Sequence, residues 1–178
     1  IVTVGEALPA ILANTLDEDM SEPVLQGLQE KITIHTNHLA TQVDDQRGSI
    51  SSLTIKNTLT GEESKVKTDL LIIAAGTKPE TTHAKDIGCA IGKTGGIIVD
   101  EKAQTSLKNV YAVGDCTEYK DFVTSEPLCI GLGSIVVRQG IAAGINAAGG
   151  TYTLPPGVLM TRTSEFFGME IAAVGPVK

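Results

Sequence analysis

The sequence predicts an α/β fold, and three observations carry that prediction. Residues 69–76, Asp-Leu-Leu-Ile-Ile-Ala-Ala-Gly, form a continuous apolar run of the kind found in strands covered on both faces. Residues 110–113, Val-Tyr-Ala-Val, form a second, shorter run that reads as a buried strand and ends abruptly in Gly114-Asp115. Leu16, Met20, Val24 and Leu28 recur at every fourth position, which is the apolar stripe of a helix lying between strands.

The elements follow in order. Residues 1–4 form a short strand ending at Gly5-Glu6, and Asp17-Glu18-Asp19 supply the acidic first turn of the striped helix. Pro23 either kinks that helix or marks where its regular part starts, because its ring and missing N–H disrupt a helix interior. Residues 32–36 and 39–43 read as strands. Residues 52–57 and 64–67 flank the turn-like Thr60-Gly61-Glu62 as a solvated hairpin. Residues 97–100 form a further strand, and residues 134–148 a helix whose Gly140 and Gly144 lie four apart on one face, which predicts close packing there. Leu154-Pro155-Pro156-Gly157 reads as a linker, and residues 158–174 as strands around a turn near Phe167-Gly168.

Composition bounds the function. With 178 residues and an apolar fraction of 42%, the chain has material for a real core and for one domain or parts of two. A net charge of -7 argues against nucleic acid or an anionic membrane as partner, and no apolar run is long enough to span a bilayer. Three widely spaced cysteines, Cys89, Cys116 and Cys129, suit a reducing cytoplasm better than a disulfide framework. They have no His or second Cys nearby in sequence, so each reads as a small buried hydrophobe. His35 and His38 border strands without ligand-like spacing, and no metal site is expected.

Several short motifs point to chemistry. Gly114-Asp115 falls at a strand's carboxyl end, where ligands sit in open α/β sheets. Gly114 there lets a ligand approach the backbone, and Asp115 can accept hydrogen bonds from sugar-like hydroxyls. The alternative is an ordinary turn. Glu6, at the end of its strand, is placed to bind the adenosine ribose hydroxyls of a dinucleotide and to repel a 2′-phosphate, or is a plain exposed strand end. Gly76, within Ala74-Ala75-Gly76-Thr77-Lys78-Pro79, either brings backbone to a cofactor or punctuates a strand exit. Gly131-Leu132-Gly133-Ser134 opens the glycine-containing helix. Its free N–H groups and positive dipole end suit an anion, and Ser134 reads as the N-cap.

The string T-S-x-x-N-V-Y-A-V-G-D at residues 105–115, with the motifs around Glu6 and Gly76 in order before it, resembles the pyridine nucleotide–disulfide oxidoreductases. Gly95-Gly96-Ile97-Ile98-Val99-Asp100 and residues 163–172 are most similar to the group of coenzyme A disulfide reductase, NADH oxidase and NADH peroxidase. The resemblance implies parts of two Rossmann-like domains and the start of an α+β dimerisation domain. Residues 1–78 would be the second half of an NAD(P)-binding domain, 79–150 the carboxyl segment of an FAD-binding domain, and 151–178 the linker and start of the dimerisation domain.

The same resemblance implies FAD and NAD(P)H as cofactors. Asp115 and Gly114 would hold the FAD ribityl chain, Leu132, Gly133 and Ser134 would face the flavin pyrimidine, and Glu6 and Gly76 would touch cofactor. Electrons would pass from NAD(P)H through FAD to a small-molecule disulfide, peroxide or O2, in a cytoplasmic homodimer. The chain opens on Ile-Val-Thr-Val without Met and reads as a fragment. The glycine loops for both cofactors and the redox cysteine are expected upstream, so no catalytic residue is assigned and the isolated chain is expected to be inactive. Two alternatives are an electron-transfer reductase of the ferredoxin or rubredoxin type, whose sequences are Trp-rich after the linker whereas this one has no Trp, and a non-catalytic nucleotide-binding or assembly module.

Overall fold

A computed structural model of the chain describes residues 1–129 and 131–177 and divides it into two compact units. The first comprises residues 1–74, 162–173 and 177, and the second residues 75–161 and 174–176.

In the first unit, β1 (Thr3–Gly5) leads through a loop to α1 (Glu18–Gln29) and back to β2 (Thr33–His35), which pairs parallel to β1 with Gly5 opposite His35. The acidic first turn holds as expected, with Asp17 at the N-cap. The stripe does not run strictly every fourth residue. Val24 and Leu28 are buried, but Met20 is 59% exposed and Ser21 takes its place in the core. A spacing of four drifts about 40° per step around a helix of 3.6 residues per turn, so Ser21 shares the face of Leu28 and Met20 leaves it. The Ser21 hydroxyl donates to the Ile11 carbonyl at 2.5 Å, which satisfies it in the interior. Pro23 lies inside α1, and the helix carries on through it.

After β2 come three antiparallel strands, β3 (His38–Gln46), β4 (Ser49–Asn57) and β5 (Glu63–Lys67), in that spatial order. The β3–β4 link is the two-residue turn Arg47-Gly48, both at positive φ (54° and 79°), the geometry that matches strand twist. The predicted solvated hairpin is therefore two strands of a three-stranded meander.

The expected doubly covered strand at residues 69–76 is not one. No strand pairs with it among the described residues, and Leu70, Ile72 and Ile73 are 74%, 79% and 80% exposed. An apolar run states a demand for cover and does not itself supply the neighbour.

In the second unit, α2 (Thr82–Asp86) precedes β6 (Ile97–Ile98), which pairs parallel to β7 (Thr117–Lys120). The latter pairs antiparallel to β8 (Pro127–Cys129). Helix α3 (Gly133–Ala147) covers this sheet, with Leu132 and Ile135 packed against the cluster of Val99, Tyr119 and Val158. The expected linker is docked rather than free. Leu154, Gly157 and Val158 are buried, the Leu154 N–H donates to the Glu101 carbonyl at 2.7 Å, and the Tyr119 hydroxyl donates to the Pro155 carbonyl at 2.6 Å. Proline stiffens such a segment, and here tertiary contacts use the stiffness.

The chain closes with the hairpin β9 (Thr161–Phe166) and β10 (Met169–Val174), turning as expected at Phe167-Gly168. Phe166, Met169, Ile171 and Ala173 project one face onto the core of Ile11, Leu16, Val24 and Leu28 in the first unit.

Candidate functional site

Residues 110–113 are half-buried and make only a short ladder, not the continuous buried strand expected. Tyr111 bridges Gln104, the Thr105 N–H donates to the Val110 carbonyl, and the Ala112 N–H donates to the Ala103 carbonyl. The ladder delivers the chain to Gly114, which is buried with φ at 93°. A Cβ at Gly114 would meet only Val136 Cγ1 at 3.7 Å, so the backbone conformation, not space, calls for glycine here.

Both polar groups of Gly114 are engaged. Its N–H donates to Gln139 Oε1 at 2.9 Å, and its carbonyl accepts from the Thr117 hydroxyl at 2.7 Å and the Thr117 N–H at 2.9 Å. The clamped turn leaves Asp115 exposed, and among the described residues its carboxylate has no hydrogen-bond partner.

The second half of the site is the amino end of α3. Leu132 is the N-cap and no side chain caps the helix, so Ser134 is not the cap expected but an exposed residue inside the first turn. The leading N–H groups therefore remain available as donors beside the positive end of the helix dipole. Gly133 is exposed with nothing within 4 Å of a would-be Cβ, and Asp115 Oδ2 lies 4.0 Å from where a side chain on Gly131 would begin. An acceptor-only carboxylate and uncapped helix donors thus sit together, a pairing that suits a ligand with hydroxyls at one part and a developing negative charge at another. Gly140 and Gly144 are exposed with nothing near them, so the close packing expected there is not made within this unit.

Glu6 belongs to the first unit and follows β1 directly. Its N–H donates to the His35 carbonyl at 2.9 Å, its carbonyl accepts from the His38 N–H at 2.8 Å, and its Oε1 accepts from the Leu8 N–H at 2.9 Å. The side chain is half-buried, with Oε2 left for another donor. Gly76, in the second unit, is exposed at φ 88° with open space around it.

Sequence reasoning missed Gln139 and Thr117. The signal was a glutamine on the buried face of α3, in step with Ile135 and Ala142. It also missed Glu118, which is 6% exposed and accepts from the Thr94 N–H at 2.7 Å and the Thr94 hydroxyl at 2.5 Å. A side chain at Gly92 would run into that carboxylate. Of the cysteines, Cys89 is buried, while Cys116 and Cys129 are half-buried, the latter 3.0 Å from the Thr94 hydroxyl.

A sheet with a covering helix, and a glycine–aspartate turn beside an uncapped helix amino end, are the features of an α/β protein of the kind that binds ligands at strand ends. The chain belongs to the pyridine nucleotide-disulphide oxidoreductase family, whose profile matches residues 1–147. It is 36% identical over 175 residues to an NADH oxidase of Methanocaldococcus jannaschii, covering 98% of this chain and 37% of that protein. It is 34% identical over 165 residues to an NAD(P)H sulfur oxidoreductase (CoA-dependent) of Pyrococcus furiosus, covering 93% of this chain and 36% of that one. An FAD-dependent pyridine nucleotide-disulphide oxidoreductase structure from Desulfovibrio vulgaris superposes with a TM-score of 0.88 at 28% identity, over 98% of this chain and 43% of the other. The chain thus spans about a third of the length of the curated relatives it matches.

Proposed function

We propose that this chain supplies part of the cofactor framework of an FAD-dependent NAD(P)H oxidoreductase. The observation that carries the reading is the clamped Gly114–Asp115 turn beside the uncapped amino end of α3. The residues fit a flavin: Asp115 is an acceptor without a hydrogen-bond partner among the described residues and would take ribityl hydroxyls, and the first-turn N–H groups of Gly133 and Ser134, with Leu132 at the cap, would hold the polar part of the ring system. Glu6 takes ribose hydroxyls of the nicotinamide dinucleotide through Oε2 while the Leu8 N–H holds Oε1. Gly76 lets backbone approach cofactor. The bound flavin supplies electron transfer from NAD(P)H to a small-molecule disulfide, peroxide or O2.

Residues 1–78 act as part of the NAD(P) domain, 79–150 as part of the FAD domain, and 151–178 as the approach to a homodimer interface, in a cytoplasmic enzyme. None of the described residues is assigned a catalytic step, and the chain alone does not turn over NADH. Among the described residues no helix is long and apolar enough to cross a membrane.

The test is the visible absorbance spectrum of the purified longer protein containing this sequence. Flavin bands that bleach on anaerobic addition of NADH are expected. A colourless protein that acquires no flavin on reconstitution with FAD removes the reading.

A further inference from the structure

We propose that Gln139 is a positioning residue for the flavin, acting through the Gly114–Asp115 turn; the inference rests on the flavin reading above. Gln139 is 1% exposed on a helix face otherwise made of apolar and small residues, Ile135 and Ala142 among them. A buried primary amide is costly unless its groups are paired. Here they are paired in a closed ring. The Gly114 N–H donates to Gln139 Oε1 at 2.9 Å, Gln139 Nε2 donates to the Thr117 hydroxyl at 3.2 Å, and that hydroxyl donates to the Gly114 carbonyl at 2.7 Å.

The ring has only one arrangement of hydrogens. The Thr117 hydroxyl has a single hydrogen, and the Gly114 carbonyl takes it, so toward Gln139 the hydroxyl can only accept. The Gly114 N–H needs an acceptor, so the amide oxygen must face it. Gln139 therefore reads the glycine peptide from one side and β7 from the other, and it does so from the same helix whose amino end forms the other half of the site. This side chain hydrogen-bonds the turn that carries Asp115 to the helix that carries the donors, beside the packing of Val113 and Ala142 in one apolar cluster. Thr117 is completely buried, so water does not replace either partner.

A protonated glutamic acid would reproduce both the acceptor and the donor of the amide, whereas an ionised one has no hydrogen for Thr117. The substitution Gln139→Glu is thus a proton-dependent copy of the native side chain. The charged and titratable side chains of the surrounding elements are Asp115 and Cys116 on the turn, Arg138 on α3, and Glu118, Tyr119 and Lys120 on β7, and they are present equally in the unsubstituted protein, which serves as the control.

The experiment uses the flavin-loaded longer protein and measures FAD dissociation by recovery of flavin fluorescence between pH 5 and 9, beside thermal melting. For Gln139→Leu the expected loss of FAD affinity is about tenfold or more, the size set by one or two lost hydrogen bonds. Gln139→Glu is expected to retain FAD like the parent at the acidic end and to release it as pH rises. Combined with Asp115→Ala, Gln139→Leu is expected to add less than its single effect, because both act on one contact. A Gln139→Glu protein whose affinity tracks the parent at every pH overturns the proposal. So does a Gln139→Leu protein that melts lower while holding FAD as tightly, or full additivity with Asp115→Ala. If Gln139→Leu does not fold, the Gln139→Glu profile decides alone. An unsubstituted protein that takes up no FAD overturns the flavin reading itself and this inference with it, whereas flavin bound but indifferent to Gln139 overturns this inference only.

Discussion

Asp115 and Asp121 stand six residues apart, and their surroundings are opposite. Asp121 is 6% exposed and accepts from the N–H groups of Val123 and Thr124 at 2.8 Å and from the Thr124 hydroxyl at 3.1 Å. Those bonds, the Thr124 N–H foremost, hold its carboxyl below the usual value of 3.8. A depressed carboxyl contributes stability that is complete above its unfolded value and is lost as pH falls through the folded one. Asp121→Ala should therefore cost about 1–3 kcal/mol near neutrality, read by denaturant melts, and the difference from the unsubstituted protein should shrink as pH falls below the ordinary value of 3.8. Among the described residues Asp115 has no such partners, so Asp115→Ala should leave the melt nearly unchanged. In the flavin-loaded protein it should weaken FAD retention by about ten- to a hundredfold, since charge-assisted bonds contribute about 1.5–3 kcal/mol each. Normal flavin retention in Asp115→Ala would remove Asp115 from the site.

At the scale of elements, one side chain ties three strands. Asp44 on β3 accepts from Lys65 on β5 at 2.7 Å, from Ser52 on β4 at 2.9 Å and from Gln42 at 2.7 Å. Lys65 first, then Gln42 and Ser52, lower its carboxyl from 3.8 to about 2. The sheet should keep this tie above the ordinary carboxylate range and lose it as pH falls toward 2. A carbon-detected titration should show Asp44 as the low outlier, and Lys65→Met should move it upward; an ordinary titration in the unsubstituted protein would contradict the geometry. The β9–β10 hairpin depends on its turn, with Phe167 at φ 51° and Gly168 at φ 84°. Asn tolerates that region better than Phe, so Phe167→Asn should stabilise the hairpin, whereas Gly168→Val should cost about 1–2 kcal/mol. Amide exchange of residues 161–174 is the measurement that separates the two.

For the molecule as a whole, the run at residues 69–76 stands unpaired with Leu70, Ile72 and Ile73 more than 70% exposed. Unpaired apolar backbone recruits another chain's edge. The isolated 178-residue chain should therefore self-associate at micromolar concentration, with sedimentation that shifts on dilution. Ile72→Ser combined with Ile73→Ser should reduce that association without altering the melt of either unit. A dilution-independent monomer with native Ile72 and Ile73 would show that the run is covered in solution.

Much of this was legible in the residues alone. The acidic first turn of α1, the turns at residues 60–62 and 167–168, and the family string ending in Gly114-Asp115 are local features, set by dihedral preference and side-chain reach within a few residues. They suffice for the α/β class and the family. Tertiary structure decided whatever needed a partner distant in sequence. The run at residues 69–76 is as apolar as a central strand and yet lies open, because pairing depends on a neighbour. Leu154 to Gly157 has linker composition and is nonetheless docked, because Glu101 and Tyr119 offer it hydrogen bonds. Ser134 has the chemistry of an N-cap, but the helix begins one residue earlier, at Gly133. Gln139 meets Gly114 only when α3 folds back across 25 residues, and no spacing rule reaches that far. Sequence thus set which polar groups are available near strand and helix ends, and burial and long-range hydrogen bonding set which of them are held in place.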